Sequence, residues 1–324
     1  MFDFLVVGKG LFGSAAAKYL SQKNGRVGLF GPDEPDDWAA HEGAFASHYD
    51  QGRLTGLLGR SLVWTKLAYR AYQQYVPVEQ ASGIPFYTPA GRLHMMDERP
   101  DAEQLSYAVA ACGLDYQHLS AAEQEALFPY FRFPDVSGGL LEKNRGGYLN
   151  PRALLRAQTA IAAGNGATIL PQMVTSVVDA GDHLQVMTMA GQTFQARKVL
   201  IAAGAFSNCF DLLPQKLDLR IKSETILLAE VSEQEAQRFR SMPAVDYAID
   251  SPVLEDIYLL PPLPYRDGRY YAKMGCNSAA DQFFTSWDDM RAWFISGDSH
   301  VHAAELQDAL MSILPDLQFS SFKT

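Results

Sequence analysis

Residues 5–17 read LVVGKGLFGSAAA, and their glycines at positions 8, 10 and 13 follow the spacing G-x-G-x-x-G. The residues that lead into them, MFDFLVV, are apolar and rich in β-branched and aromatic types, as is typical of a buried parallel strand. The following SAAAKYL is strongly helix-forming, and RVGLF, after the break at KNG, predicts a second buried strand. This order of strand, glycine turn, helix and strand is the context in which the spacing predicts a dinucleotide site.

Each glycine has a separate task in such a site. Gly8 allows a tight turn, Gly10 lets a pyrophosphate approach the backbone, and Gly13 lets the helix pack closely on the strand. The N-terminus of the following helix faces the phosphates with its partial positive charge. We predict that Gly8, Gly10, Leu11, Phe12 and Gly13 bind a dinucleotide. The alternative is a glycine-rich turn that has no ligand.

The acidic residue that accepts the ribose hydroxyls in such sites is displaced here. It normally ends the second strand, but RVGLF runs into Gly31 and Pro32. Asp33 and Glu34 follow two residues late. Either Asp33 reaches back from the turn, or backbone and water contacts replace the acid. No arginine stands there to favour a 2′-phosphate, so this unit alone leaves the cofactor class open.

Composition excludes several classes of protein. The net charge of −10 argues against nucleic acid as a partner, because phosphate binding needs a basic surface. Three scattered cysteines without a C-x-x-C pair suggest neither a disulfide framework nor a zinc site, and they suit a reducing cytoplasm. The chain opens without a secretory signal and has no apolar run near the roughly 20 residues that a membrane span needs. We therefore expect a soluble cytoplasmic protein that contacts no membrane.

Residues 43–58 read GAFASHYDQGRLTGLL and carry a second informative pattern. Ser47, His48, Asp50 and Arg53 follow the order Ser-His-x-Asp-x-Arg, with a one-residue insertion before the arginine. In this the sequence resembles the FAD-dependent oxidoreductases of the D-amino acid oxidase and sarcosine oxidase family. The resemblance implies that Ser47, His48 and Arg53 contact FAD near its ring, where an arginine can stabilise negative charge. The alternative is a polar loop whose charges are solvated.

A later stretch supports the resemblance. PQMVTSVV and HLQVMTM predict two antiparallel strands around the turn DAGD, and ARKVLIAAGAFSN predicts a buried strand at 199–202 that ends in small residues. In the family, the residue corresponding to Val174 lends its backbone to the adenine, and a second FAD contact follows the late strand, which implies Ala203 and Gly204. A nicotinamide dehydrogenase would instead continue with further βα repeats, so the order of elements favours FAD over NAD.

The two remaining regions are rich in strands interrupted by proline and glycine turns, as in a sheet that covers a cleft. We predict an α/β fold with α+β elements: a Rossmann-like FAD-binding domain and an interleaved substrate domain built on a mixed or antiparallel sheet. Residues 1–83 and 146–214 form the FAD-binding domain in this prediction. Residues 84–145 and 215–324 form the substrate or catalytic domain. Both domains are discontinuous.

Lys273 lies in RYYAKMGCN, which predicts an aromatic strand that ends near the lysine. The sarcosine oxidase relatives carry a Lys-x-Gly element in this place, and the residues from Lys273 to Gly275 match it. The resemblance implies that the lysine lies over the flavin and promotes the reaction with dioxygen, since an ammonium in a low-dielectric cleft stabilises developing negative charge. The alternative is a solvated lysine at a strand end.

The sequence also departs from the family. The second arginine, which holds the substrate carboxylate in sarcosine-type oxidases, falls on Gly56, and Arg60 follows one helical turn later. Family members continue beyond the final LQFSSFKT with a cysteine that links flavin covalently in some members and a glycine-rich loop over the flavin. We therefore expect non-covalent FAD, and either a truncated product or a variant with an open flavin site. Cys276 is expected to be a buried, inert thiol.

These observations predict the catalytic residues Lys273, Arg53 and His48 in an FAD-dependent oxidase or dehydrogenase. Its substrate is expected to be a small amino acid or secondary amine, oxidised at the C–N bond, with dioxygen or another molecule as electron acceptor. A non-catalytic or truncated nucleotide-binding protein and an NAD-dependent dehydrogenase are the alternatives. His300 and His302 predict a helix start and no metal site, because a third ligand is lacking.

Overall fold

The computed structural model describes residues 1–23, 25–36, 46–59, 61–96, 100–279, 281–296 and 301–324. Its helices are α1 (Leu11–Ser21), α2 (Leu62–Ser82), α3 (Ala102–Cys112), α4 (Ala121–Leu127), α5 (Pro151–Gly164), α6 (Glu233–Arg238), α7 (Trp287–Ser296) and α8 (Ala303–Ile313). Its strands are β1 (Phe2–Val7), β2 (Val27–Phe30), β3 (Arg53–Thr55), β4 (Tyr87–Thr88), β5 (Arg92–Met95), β6 (Tyr116–Ser120), β7 (Gly138–Glu142), β8 (Gly147–Leu149), β9 (Thr168–Leu170), β10 (Val174–Asp179), β11 (Leu184–Thr188), β12 (Thr193–Ile201), β13 (Ile221–Lys222), β14 (Ile226–Val231), β15 (Ala244–Tyr247), β16 (Leu254–Pro264), β17 (Tyr270–Ser278), β18 (Phe283–Phe284) and β19 (Ser321–Lys323). No helix in these ranges is both long enough and apolar enough to span a membrane.

A six-stranded sheet contains the glycine turn. Its strand order is β10-β11-β12-β1-β2-β9; β12, β1, β2 and β9 run parallel, whereas β10, β11 and β12 form an antiparallel meander. Leu5 and Val7 face one apolar cluster, and Val6 and Leu29 pack with Ala17 of α1 on the other face. Both faces of β1 are thus buried, as in a central parallel strand. The predicted strand, turn, helix and strand, and the predicted antiparallel pair, are confirmed.

The late strand differs from its prediction. Residues 199–201 form the end of β12 as expected, but Leu200 is 45% exposed, so the prediction of a buried strand is wrong. The ladder to β11 ends at Ala196, and beyond that residue β12 is paired with β1 alone. Among the described residues, the end of β12 therefore lies at an edge of the sheet. Side chains at a sheet edge are more exposed to solvent than those of a central strand.

An eight-stranded sheet separates an apolar face from a polar one. Its order is β19-β14-β17-β16-β15-β5-β7-β6, antiparallel except for the parallel pair β15–β5. Leu93 and Met274 lie in the apolar cluster that also contains residues of α6 and α8. The alternate positions include His94, Asp246 and Lys273, which point to the opposite face because successive side chains of a strand alternate.

Residues 46–59, here called the crossing segment, lie against this polar face. At one end, the ammonium of Lys273 in β17 donates to the carbonyl of Gly52 at 3.0 Å. At the other end, the carboxylate of Glu142 in β7 accepts from the N–H groups of Leu57 at 2.8 Å and Leu58 at 3.0 Å. Between these anchors the segment forms β3, which pairs with β8.

The strands of the six-stranded sheet lie within residues 2–30 and 168–201, and those of the eight-stranded sheet within residues 92–142 and 226–323. Each sheet therefore draws on two separate parts of the chain. The predicted domain boundaries stay a prediction.

Candidate cofactor and active site

The glycine turn leaves room where a ligand would approach. A Cβ at Gly8, whose φ is +103°, would lie 2.3 Å from the carbonyl oxygen of Ala202, and one at Gly13 would lie 1.7 Å from the carbonyl oxygen of Gly8. Close packing of the backbone thus requires both glycines. At Gly10 the nearest described atom to such a Cβ is Nδ1 of His48, 4.0 Å away. The packing of the described residues would therefore accept a Cβ at Gly10.

The start of α1 faces the same space. Its N-cap is Gly10, and no described side chain caps the helix. Free N–H groups at a helix start, together with the helix dipole, suit an anion such as a pyrophosphate. The side chain of Leu11 is half-buried and that of Phe12 is exposed to solvent, so both predicted contacts would be made through the backbone.

His48 lies against Gly10. Its ring is 5% exposed, and Nδ1 has no hydrogen-bond partner among the residues that the structure describes. Burial lowers the pKa of His48 to about 4, although Glu34 opposes the shift. The imidazole is thus neutral at neutral pH. A buried ring nitrogen that lacks a partner among the described residues and lies next to the start of α1 fits a polar ligand in this place, which is what bound FAD would supply.

Asp33, the acid that follows β2 two residues late, has a partner that the sequence did not predict. Asp33, whose side chain is 68% exposed, forms an ion pair with the buried Lys9. A side chain at Gly31 is excluded, because its Cβ would lie 2.4 Å from the backbone nitrogen of Lys9. Glu34 is bound by Arg152 through contacts of 2.7 and 2.9 Å. Sequence reasoning missed Lys9, because the spacing G-x-G-x-x-G places no condition on the residue between the first two glycines.

The structure places Ser47, His48 and Arg53 together on the crossing segment. The guanidinium of Arg53 donates to the carbonyl oxygen of Ser47 at 2.5 Å. Arg53 begins β3 and is held in register opposite Leu149 of β8. Ser47 is exposed, whereas Arg53 is half-buried. The cation is thus fixed by backbone pairing a few residues from the buried imidazole.

Lys273 lies in the middle of β17 and not at its end, so that detail of the prediction is wrong. The strand continues to Ser278, because β14 and β16 pair with it on both sides. The lysine is 2% exposed, and its ammonium contacts the carboxylate of Asp50. Burial lowers the pKa of Lys273, and the charge of Asp50 opposes that shift. The alternative of a solvated lysine is excluded.

The remaining predicted contacts lie on the six-stranded sheet. Ala203 follows β12, and its backbone nitrogen lies 2.9 Å from the position of a Cβ at Gly8, next to the glycine turn. Gly204 has a φ of +56° and no described atom within 4 Å of a Cβ position. Val174 begins β10, which β11 and β12 separate from β1, and packs in the same apolar cluster as Leu5.

A buried ionic cluster fills the place of the family's second arginine. A Cβ at Gly56 would lie 2.7 Å from Cδ of Arg92, so position 56 has no room for a side chain. Arg92 donates to Asp246 at 2.5 Å, and His94 contacts Glu142 at 2.7 Å. Sequence reasoning missed this cluster, since its members are far apart in the chain. The other candidate, Arg60, lies outside the described residues.

Two further expectations concern metals and thiols. His302 precedes α8 as its N-cap, whereas His300 lies outside the described residues. Within the described part of the chain, no group of three or more His, Cys, Asp or Glu side chains could hold a metal ion. Cys276 is buried, and burial raises the pKa of its thiol to about 11, as expected of an inert cysteine.

Comparison with characterised proteins gives relatives of one kind. Monomeric sarcosine oxidase from Arthrobacter sp. (strain TE1826) is 26% identical over 249 residues, which are 75% of this chain and 62% of that protein. Peroxisomal sarcosine oxidase from Mus musculus is 25% identical over 207 residues, 64% of this chain and 51% of that protein. The chain thus spans about half to three fifths of the length of these relatives.

Solved structures agree on the fold. The open form of NikD, an unusual amino acid oxidase essential for nikkomycin biosynthesis, has a TM-score of 0.72 at 19% identity over 99% of this chain and 80% of that chain. Glycine oxidase from Bacillus cereus ATCC 14579 has a TM-score of 0.62 at 16% identity over 99% of this chain and 81% of that chain. The predicted fold class, with its Rossmann-like FAD-binding part, is confirmed. The DAO family, described as FAD dependent oxidoreductase, matches residues 3–321, and this chain therefore belongs to it.

Proposed function

We propose that this chain binds FAD non-covalently and acts as an oxidoreductase that oxidises the C–N bond of an amino acid or secondary amine. The observation that carries the proposal is the buried Nδ1 of His48, which has no hydrogen-bond partner among the described residues and lies next to Gly10 at the start of α1. Bound FAD would supply the redox chemistry by accepting a hydride equivalent from the carbon next to nitrogen. The chain itself binds, orients and provides charge.

The six-stranded sheet carries the binding residues in this proposal. The backbone at Gly10 and the start of α1 hold the pyrophosphate. The ion pair with Lys9 holds Asp33 near the end of β2, where its carboxylate accepts hydrogen bonds from the ribose hydroxyls. Ala203 and Gly204 provide close backbone contacts beside the glycine turn, and Val174 offers its backbone to the adenine.

The crossing segment and β17 carry the residues near the flavin ring. His48 is neutral at pH 7, so it acts as a hydrogen-bonding group and not as a cation. Arg53 stabilises negative charge that develops on the ring system, and Ser47 fixes its guanidinium. The ammonium of Lys273 stabilises negative charge that develops as dioxygen is reduced, because charge interactions are strong in a buried site.

We propose that residues 1–83 and 146–214 form the FAD-binding domain, and that residues 84–145 and 215–324 form the substrate domain. The substrate is a small amine or amino acid, since relatives are named for sarcosine and glycine. Dioxygen or another small molecule is the electron acceptor. We place the protein in the cytoplasm, as its reduced cysteines suggest.

The test is a visible absorption spectrum of the purified protein, repeated on the supernatant after acid precipitation. A flavin spectrum that moves to the supernatant is expected, and a screen of amines and amino acids would follow. A protein that stays colourless after incubation with FAD contradicts FAD binding by this chain. A coloured protein that no amine or amino acid reduces would instead be a binding protein without this turnover.

A further inference from the structure

A buried ion pair joins the crossing segment to the eight-stranded sheet. The ammonium of Lys273 donates to a carboxylate oxygen of Asp50 and, at 3.0 Å, to the carbonyl oxygen of Gly52. Both side chains of the pair are buried. Two of the three ammonium N–H groups therefore have acceptors on the crossing segment, a part of the chain more than 200 residues away in sequence.

The carboxylate of Asp50 is fixed in turn. Its other oxygen accepts a hydrogen bond from the hydroxyl of Tyr265 at 3.2 Å and from the backbone N–H of Gln51 at 2.7 Å. The ring of Tyr258 covers a further side of the ammonium, with its centroid 5.0 Å from Nζ of Lys273. The position of the charge is thus determined by contacts from the crossing segment, β16 and the turn between β16 and β17.

The surroundings of Lys273 otherwise disfavour a charge. A buried ammonium without a partner loses its proton more readily, because burial penalises the charged form. The charged and titratable groups that face it are Asp50 and Arg53 on the crossing segment, Tyr258 on β16, Tyr265 in the following turn and Glu224 before β14. Asp50 is the anion in direct contact with the ammonium, whereas Arg53 opposes its charge.

We propose that Asp50 is the positioning residue that keeps the Lys273 ammonium charged and fixed beside the flavin site. The inference rests on the proposed function for its consequence in turnover, since the lysine would act only as a cation. Both members of the pair belong to this chain, so their interaction can be tested without turnover.

The first experiment follows the proton on Lys273. The Cε resonance of Lys273 in protein labelled with [13C]lysine is assigned by its loss in Lys273→Met and followed between about pH 6 and pH 11. In Asp50→Asn the midpoint should fall by about one pH unit or more, because the amide keeps the size and one acceptor but loses the charge. In Asp281→Asn, which removes the partner of Lys222 in another ion pair, the midpoint of Lys273 should not move. An unchanged midpoint in Asp50→Asn overturns the proposal.

A second variant guards against misfolding. Asp50→Glu keeps the negative charge on a longer side chain. The titration midpoint of Lys273 in this variant should therefore lie closer to the wild-type value than in Asp50→Asn. If Asp50→Asn and Asp50→Glu shift the midpoint equally, packing and not charge is responsible, and the proposal fails.

The last experiment links the pair to turnover. FAD-loaded enzyme is reduced anaerobically and mixed with dioxygen over the same pH range. In Asp50→Asn the rate of reoxidation should fall about tenfold for each unit by which the pH exceeds the lowered midpoint. A shifted Lys273 midpoint with an unchanged pH profile of reoxidation overturns the link to turnover. Wild-type protein that does not react with dioxygen contradicts the proposed function of Lys273, while the NMR result still decides whether Asp50 holds its charge.

Discussion

Position 10 has a glycine that the packing of the described residues does not require. Its φ of −84° is open to any residue, and an alanine Cβ there would lie at an ordinary contact distance of 4.0 Å from His48. At Gly13 the same change would bring a Cβ to 1.7 Å from a backbone oxygen. Gly13 is therefore required by the fold, whereas at Gly10 the proposed pyrophosphate site is the reason that remains for a glycine.

We expect Gly10→Ala to lose no more than about 1 kcal/mol of stability, as is usual for a small change at a helix N-cap. Its affinity for FAD should fall roughly a hundredfold, because the new methyl group occupies the space of the pyrophosphate. Thermal unfolding and titration of the apoprotein with FAD measure the two effects. Gly13→Ala is the matched control and should not yield folded protein. Wild-type FAD affinity in Gly10→Ala would show that this space is not the pyrophosphate site.

His48 gives the folded apoprotein a specific response to acid. Its pKa is lowered from 6.5 to about 4, so the unfolded chain takes up a proton on the ring before the folded chain does. The free energy of unfolding therefore decreases as the pH falls from about 6.5 to about 4, by as much as about 3 kcal/mol from this group. Urea denaturation at several pH values should show a smaller decrease in His48→Gln. The exposed His118 supplies the control, since His118→Gln should keep the wild-type slope.

At the scale of elements, the parts that the sequence predicted are those built from neighbouring residues. The unit from β1 to β2 was predictable because its strand, turn and helix signals are contiguous. The end of β17 was not, because Gly275 looks like a strand terminator. In the structure the ring of Tyr258 on β16 fills the space above it, where a Cβ would lie 2.3 Å away, and the strand continues. The local sequence around Gly275 gives no sign of this contact with Tyr258, because the two residues lie on different strands.

The ionic cluster under the crossing segment was also not predicted, because its members come together only in the folded sheet. Glu142, Arg92 and Asp246 lie on three strands that are adjacent in the sheet but distant in sequence. The pattern around Ser47 to Arg53 indicated a functional segment, yet nothing in it named the partners that hold the segment. The site residues could be proposed from the sequence, whereas their supports depend on the pairing of β5, β15 and β7.

The anchoring of the crossing segment can be tested at Glu142. It is fully buried and accepts hydrogen bonds from Leu57 N–H, Leu58 N–H and the ring of His94. Glu142→Gln removes the charge and one acceptor, so we expect a loss of about 2–4 kcal/mol and faster hydrogen exchange in the crossing segment. Glu125→Gln, which removes an exposed charge paired with Arg132, should change stability by less than about 1 kcal/mol. Exchange rates that stay at wild-type values in residues 46–59 would contradict the anchoring role.

At the scale of the whole molecule, the crossing segment is, among the described residues, one of the places where the two large sheets are connected. A second lies at the turn between β16 and β17, where Arg266 approaches Glu34 and Asp36 at 3.4 Å. Glu34 is also bound by Arg152 of α5. The proposed contacts to the pyrophosphate, ribose and adenine thus lie on or beside the six-stranded sheet, whereas the proposed reactive lysine lies on the eight-stranded sheet. This predicts that binding and turnover can be separated by mutation.

Lys273→Met should keep the flavin colour and slow the reaction of the reduced enzyme with dioxygen by roughly a hundredfold or more, because a preorganised charge is removed from the site. The change also leaves Asp50 buried without a cation, which should cost about 3–5 kcal/mol of stability. The double variant Asp50→Asn/Lys273→Met removes both charges and should regain most of that stability without regaining the rate. Stopped-flow reoxidation and thermal unfolding measure the two effects separately. If the double variant recovered both together, the slow reaction would reflect a damaged fold and not the missing ammonium.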